Sequence, residues 1–134
     1  MMKKYFLLFL ISGFSKIGFS QDNNFYNAYF EGNSLLVKGQ YDKAIEKYSA
    51  ALKSFSADYV YYNRGNAYNG KKDFTNAMLD YSKTISMNPN NADAYYQRGV
   101  LKLSSNDNTG CDDLKKAVKM ETPDAKETFK KLCK

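Results

Sequence analysis

Histidine is absent from the 134-residue chain, and its absence excludes several kinds of active site. The commonest general base is missing, and so is every catalytic triad that contains an imidazole. A metal site built on two cysteines would have no histidine to complete it. The sequence also contains no glycine-rich phosphate loop and no serine in a nucleophile elbow. We therefore predict that the protein is not an enzyme and that it holds no metal and no cofactor.

Proline and tryptophan are also scarce. Pro89 and Pro123 are the only prolines, so little in the chain interrupts long helices. Tryptophan is absent, whereas 12 Tyr and 9 Phe are present. The length is typical of one domain, and its core must be built largely on aromatic rings, many of which carry a polar hydroxyl.

The first 20 residues have the order of a secretory signal. Lys3 and Lys4 precede the apolar run Tyr5–Ile11, and Gly18 and Ser20 supply small residues before a cut after Ser20. The run is much shorter than the roughly 20 residues of a spanning helix. We expect residues 1–20 to be a signal peptide and the mature protein to be exported, with no stable membrane insertion after cleavage. A buried N-terminal helix or a retained anchor is the alternative.

Charge gives little support for nucleic-acid binding. Removal of the signal takes away three lysines and no acid, so the net charge falls from +6 to +3. The densest basic run is C-terminal, and acids interrupt it. Its lysines are Lys115, Lys116, Lys119, Lys126, Lys130, Lys131 and Lys134. We predict a solvated helix face and no nucleic-acid partner, with weak binding to anionic lipid or polysaccharide as an alternative function.

An internal repeat organises the rest of the chain. The pentapeptides YYNRG (Tyr61–Gly65) and YYQRG (Tyr95–Gly99) start 34 residues apart, and sliding the chain by 33 or 34 residues aligns further positions. The aligned sets are Gly32, Gly65 and Gly99; Tyr41 and Phe74; Ala44 and Ala77; Tyr48, Tyr81 and Leu114; and Ala51, Thr84 and Ala117. Small and aromatic residues at fixed places predict units of two packed helices.

These units resemble the tetratricopeptide repeat. The resemblance implies an all-α, right-handed α-solenoid of three helix-turn-helix repeats in residues 21–134, with bounds of about 25–57, 58–91 and 92–120 and a capping helix at 122–133. For the last helix we expect Thr122 as N-cap and Pro123 at the first helical position. The residues assigned to the structural repeat core are Gly32, Ala44, Tyr48, Tyr61, Gly65, Tyr68, Ala77, Tyr81, Pro89, Tyr95, Gly99 and Ala117.

The two cysteines fall in the last repeat and in the capping helix. An even number of cysteines in an exported protein favours a disulfide. Antiparallel helices starting near Thr109 and ending near Cys133 would place Cys111 and Cys133 at the same end. We predict this bond, with two free buried thiols as the alternative.

The resemblance also implies a binding surface, because such arrays hold a peptide or a partner protein on the concave face of their first helices. The residues carried over to that face are Tyr29, Asn33, Tyr62, Asn63, Asn66, Tyr96 and Gln97, with Tyr26, Phe30 and Val100 beside them. Packing between repeats is the alternative role for Tyr26, Tyr29 and Phe30. A family clamp for a partner's terminal carboxylate uses two asparagines, found here as Asn33 and Asn63, with cations. Its cationic places hold Tyr29, Asp93 and Gln97, which argues against that ligand.

The prediction for function is a non-catalytic adaptor that binds an unidentified protein or peptide. Export, together with a composition rich in Lys, Asn, Tyr and Phe, favours a bacterial cell envelope or the secreted space. A self-associating subunit of an envelope assembly is the alternative.

Overall fold

The computed structural model describes residues 15–134, with side chains from Asn23 onward. Most of the predicted signal peptide, residues 1–14, lies outside the described residues. Seven helices and no strand make up the described part, which confirms the all-α class. The helices are α1 (Ser15–Val37), α2 (Tyr41–Ser54), α3 (Asp58–Gly70), α4 (Phe74–Met87), α5 (Ala92–Ser104), α6 (Gly110–Lys119) and α7 (Ala125–Leu132). None of these helices is both long enough and apolar enough to cross a membrane.

The helices pack in sequence order as antiparallel neighbours. The main pairs are α1 with α2, α3 with α4 and α5 with α6, and α7 packs on α6. Consecutive pairs join where α2 meets α3 and where α4 meets α5. The predicted array of helical repeats is therefore confirmed.

One predicted helix end is wrong. We expected Thr122 to cap the last helix, but α7 begins at Ala125 and its N-cap is Asp124, which has a left-handed backbone with φ of 62°. The Thr122 hydroxyl has no hydrogen-bond partner in the structure. Residues 122–124 form a turn that re-aims the chain after α6, so they cannot belong to the helix.

The turn within each repeat uses the same backbone conformation at an equivalent place. Gly39, Lys72 and Asn106 have φ values of 70°, 66° and 61°. This left-handed region suits glycine, is tolerated by asparagine and costs a lysine about 1 kcal/mol or more. The second repeat therefore carries a small backbone strain that the first avoids.

Two glycines let a tyrosine ring lie against the backbone of the facing helix. A Cβ atom on Gly32 would lie 2.8 Å from the Tyr48 ring, and one on Gly65 would lie 2.8 Å from the Tyr81 ring. The third repeat uses a different contact, in which a Cβ on Gly99 would lie 2.9 Å from the carbonyl oxygen of Gly110. Close approach of two helices is thus the reason for glycine at these places.

The residues assigned to the repeat core differ in burial. Gly32, Ala44, Tyr48, Gly65, Ala77, Tyr81, Gly99 and Ala117 are buried. Tyr61, Tyr68 and Tyr95 are half-buried and Pro89 is exposed. The guanidinium groups of Arg64 and Arg98 lie over the Tyr61 and Tyr95 rings, at 5.5 and 5.8 Å from the ring centroids. These half-buried rings therefore support arginine side chains.

Each of these arginines joins two repeats. Arg64 donates Nε and Nη2 hydrogen bonds to the Asp80 carboxylate at 2.7 and 2.9 Å, and its Nη1 donates to Ser49 Oγ of the preceding repeat at 3.0 Å. Arg98 makes the same bonds to Asp113 and to Ser82. Asp80 and Asp113 are buried, so the fork geometry of arginine satisfies both carboxylate oxygens in each case.

The first repeat has the same pair with its charges exchanged. Glu31 stands at the place of Arg64 and Lys47 at the place of Asp80, and their charged groups lie 2.9 Å apart. Both side chains are more than a third exposed. No described repeat precedes α1, so this pair has no second repeat to join.

Candidate functional site

The residues predicted to bind a partner lie on the first helix of each repeat. Four equivalent places on each of these helices share one side at spacings of three and four residues. They are Tyr26, Tyr29, Phe30 and Asn33 on α1; Tyr59, Tyr62, Asn63 and Asn66 on α3; and Asp93, Tyr96, Gln97 and Val100 on α5. We call the surface formed by these residues the first-helix face.

The structure brings three of the predicted binding residues into direct contact. Asn63 Nδ2 donates to the Tyr29 hydroxyl at 3.3 Å and to Asn33 Oδ1 at 3.1 Å. The same Asn33 oxygen accepts a bond from the buried Tyr48 hydroxyl at 2.7 Å. These amides therefore fix α3 against α1 and α1 against α2, which uses much of their capacity to bond a ligand.

Asn66 has a similar internal role in the second repeat. Its Oδ1 accepts from the Tyr81 hydroxyl at 2.8 Å. In the third repeat Leu114 replaces the tyrosine and Val100 replaces the asparagine, so the hydrogen-bonded pair becomes an apolar pair. Because donor and acceptor are exchanged together, neither is left buried without a partner.

Three tyrosines occupy one equivalent place along the face. Tyr29, Tyr62 and Tyr96 are all half-buried. The Tyr62 ring lies 5.8 Å from the Tyr81 ring, and the Tyr96 hydroxyl is 3.2 Å from Thr128 Oγ1 on α7. Gln97, next to Tyr96, has no side-chain hydrogen bond to the described residues, and its amide is free to bond a ligand.

The N-terminal end of the face is an aromatic surface that the sequence revealed only in part. Phe25 is buried, and its ring centroid lies 5.3 to 6.4 Å from those of Tyr26, Tyr29, Phe55 and Tyr59. We call these residues and Phe30 the aromatic patch. Within it, exposed fractions are 51% for Tyr26, 62% for Phe30, 62% for Phe55 and 40% for Tyr59.

Sequence reasoning missed Phe55 and Tyr59. Phe55 follows the last residue of α2, where no helical periodicity marks its direction. Tyr59 could have been found, because it stands at the place of Tyr26 in the next repeat.

The Asp93 carboxylate on α5 acts on the Tyr62 hydroxyl of α3. Burial raises the pKa of Tyr62, a hydrogen bond with Asn66 lowers it, and Asp93 makes a smaller contribution that raises it. Burial also raises the pKa of Tyr59, with contributions from Tyr26, Tyr29 and Asp58. These hydroxyls therefore stay protonated at neutral pH and can donate hydrogen bonds.

The cysteines lie at the C-terminal end of the array. The Sγ atoms of Cys111 and Cys133 are 2.08 Å apart, and the Cα atoms are 5.7 Å apart. Cys111 is in the first turn of α6 and Cys133 directly follows α7. The pair thus joins the two ends of the last helical hairpin.

Residues 23–134, whose side chains the structure describes, contain no group of three or more His, Cys, Asp or Glu side chains arranged to hold a metal ion.

Comparison with known proteins identifies relatives of this sequence. Two family models, both described as tetratricopeptide repeat, match residues 59–91 and 81–119. The chain is 28% identical over 103 residues to small glutamine-rich tetratricopeptide repeat-containing protein 2 of Saccharomyces cerevisiae, covering 75% of this chain and 30% of that protein. It is 32% identical over 108 residues to RNA polymerase II-associated protein 3 of Xenopus tropicalis, covering 78% and 16%. The chain therefore spans less than a third of the length of these curated relatives.

Solved structures share the fold. The first TPR of Spaghetti (RPAP3) bound to an HSP90 peptide superposes with a TM-score of 0.77 at 22% identity, covering 82% of this chain and 90% of that chain. The Arabidopsis OM64 TPR domain superposes with a TM-score of 0.79 at 24% identity, covering 84% and 96%. These superpositions show the fold, and the two family models identify tetratricopeptide repeats in residues 59–119.

Proposed function

We propose that the protein is a non-catalytic adaptor that binds a peptide or an extended segment of another protein on its first-helix face. The observation that carries the proposal is the exposed aromatic patch, which continues into the row of Tyr29, Tyr62 and Tyr96. Aromatic rings give a large contact area for little loss of conformational entropy, and tyrosine adds a hydrogen-bonding tip. Gln97 adds an amide suited to an extended peptide backbone.

Similar domains support peptide binding as the mode of action. The first and second TPR domains of Spaghetti (RPAP3) each bind an HSP90 peptide, and the second TPR domain of human RPAP3 binds an HSP70 peptide. The ligand of this chain has a different chemistry, because the first-helix face carries no lysine and no arginine. Asp93 would repel a terminal carboxylate, and Asn33 and Asn63 are already bonded to each other.

We place this adaptor in the bacterial cell envelope or the secreted space, with residues 1–20 removed as a signal and residues 21–134 as the repeat domain. Export would bring the chain into an oxidising compartment, where a bond between Cys111 and Cys133 persists. The bond would hold α7, the terminal helix, against the array.

A crosslinking pull-down from the native host tests the proposal. We expect Phe30→Ala and Tyr62→Ala/Tyr96→Ala to lose specific partners that the unaltered protein captures. Phe74→Ala is the matched control, because this ring is 41% exposed on α4, away from the first-helix face. Partners that survive all the substitutions on the face, or that Phe74→Ala removes equally, would place the binding surface elsewhere.

A second candidate function is supported by exposed lysines on α7. Lys126, Lys130 and Lys131 are all exposed and project from one short helix. They would give weak, salt-sensitive binding to anionic lipid or polysaccharide. Cosedimentation with anionic vesicles should fall in a Lys126→Gln/Lys130→Gln/Lys131→Gln variant, and unchanged sedimentation would exclude this function.

A further inference from the structure

One place on the first-helix face changes from aromatic to acidic along the array. The place held by Tyr26 on α1 and by Tyr59 on α3 is held by Asp93 on α5. Both tyrosines belong to the aromatic patch, whereas the Asp93 side chain is exposed in the first turn of its helix. The two ends of the face therefore suit different side chains of one ligand.

The aromatic end is suited to an apolar or aromatic side chain. The Phe25 ring meets Tyr26 edge-on at 77° and Phe55 edge-on at 88°. Tyr29 meets Tyr59 edge-on at 76°. Edge-to-face packing leaves ring faces and edges available to a further ring or aliphatic group.

The acidic end is suited to a cation. Asp93 lies close enough to Tyr62 to disfavour ionisation of its hydroxyl. The nearest arginines on these helices are committed elsewhere, because Arg64 binds Asp80 and Arg98 binds Asp113. Asp93 has no ion pair with any residue of the described part. α7 carries a single acid, Glu127, among three lysines, so Asp93 is the carboxylate assigned to the cation of the ligand.

We propose that the ligand is an extended segment with an apolar or aromatic side chain and, about three residues away, a lysine or arginine. The first side chain packs on the aromatic patch and the cation pairs with Asp93. Tyr59 and Asp93 occupy equivalent places on the first helices of consecutive repeats. An extended chain advances about 3.3 Å per residue, so the proposed spacing of about three residues spans roughly 10 Å. The inference rests on the proposed adaptor function and specifies its ligand.

A charge-reversal experiment tests the inference with fluorescein-labelled, serine-based peptides and the purified protein. One peptide carries Phe followed by Lys about three positions later, and its partner carries Glu in place of Lys. By fluorescence anisotropy, we expect the Lys peptide to bind about two- to fivefold more tightly, as for an exposed ion pair, and salt to reduce the difference. Asp93→Lys should reverse the preference.

Asp112→Lys is the matched control. Asp112 is also exposed in the first turn of its helix, on α6, so the substitution changes the net charge equally and perturbs a similar helix end. It should leave the preference for Lys intact, and far-UV circular dichroism of both variants checks folding. Equal binding of the two peptides, or an Asp93→Lys variant that still prefers Lys, overturns the inference.

The other outcomes separate this inference from the adaptor function. If Phe30→Ala loses native partners but neither peptide binds, the adaptor function holds and the proposed ligand chemistry is wrong. If light scattering shows a dimer that Phe30→Ala dissociates, the face binds a second copy of the chain and the inference is overturned. If neither partners nor peptides depend on Phe30, both proposals fail.

Discussion

Replacing Arg64 with methionine should strongly destabilise the array. The substitution keeps an unbranched side chain of similar length but removes both bonds to Asp80 and the bond to Ser49. Asp80 would then be a carboxylate that is 6% exposed and has lost its cation. Arg64 lies at the joint between the first and second repeats, so this single substitution removes the bonds made there.

The expected magnitude follows from the burial of the pair. Removing one partner of a buried ion pair costs about 3–5 kcal/mol, chiefly because the remaining charge stays desolvated. The Arg64 side chain is 20% exposed, so water can reach the space that its guanidinium leaves. We therefore expect a loss of about 3 kcal/mol in the free energy of unfolding.

Urea unfolding followed by far-UV circular dichroism measures this loss. The first repeat supplies the matched control, because Lys47→Met breaks the Glu31–Lys47 pair, which is solvent-exposed. Its urea midpoint should stay close to that of the unaltered protein, since exposed pairs contribute little. Similar midpoints for Arg64→Met and Lys47→Met would refute the argument that burial decides the cost.

Three further predictions concern pH, the cysteines and the repeat turns. Burial raises the pKa of Tyr48 and Tyr81, so their contribution to stability should be complete below about pH 10 and decline above it. The urea midpoint should therefore fall less steeply with alkaline pH in a Tyr48→Phe/Tyr81→Phe variant, and an equally steep fall in the variant would contradict this. Cys111→Ser/Cys133→Ser should lower the free energy of unfolding by about 3 kcal/mol, because the proposed bond would close a loop across a sequence separation of 22. A reductant should reproduce the loss in the unaltered protein and have no further effect in the variant. Lys72→Gly should raise stability by about 0.5–1 kcal/mol by relieving a left-handed backbone, and calorimetry showing a lower melting temperature would contradict this.

The fold could be predicted from the sequence because each repeat carries its own packing signal. Gly65 recurs as Gly32 and Gly99, and the first two of these glycines each face a tyrosine of the second helix. The residue that must be small marks the first helix of a pair, and the ring that must be large marks the second. The two helices can therefore be identified without knowing which distant residues are in contact.

The last helix was less predictable for a physical reason. Thr122 and Pro123 have the composition of a helix start, but the chain must first turn back along α6. The left-handed backbone of Glu121 and Asp124 makes this turn. Neither glutamate nor aspartate requires that conformation, so the local sequence does not predict the turn.

The candidate site was also predictable only in part. Periodicity selected the first-helix residues, yet it could not separate residues that face solvent from those used inside the array. Asn33, Asn63 and Asn66 look like ligand-binding amides in the sequence, whereas in the structure they bond to Tyr29, Tyr48, Tyr81 and one another. Their partners lie up to 34 residues away, beyond the reach of any local pattern.

The arginine joints also determine how the array could grow. The second unit presents Arg64 towards the unit before it and Ser82 towards the unit after it, so a tandem copy of residues 58–91 would find a compatible joint on both sides. A copy of the first unit placed in the interior would put Glu31 where an arginine is needed. Lengthening by duplication is therefore open to the middle unit and closed to the first, because one side chain decides whether the joint can form.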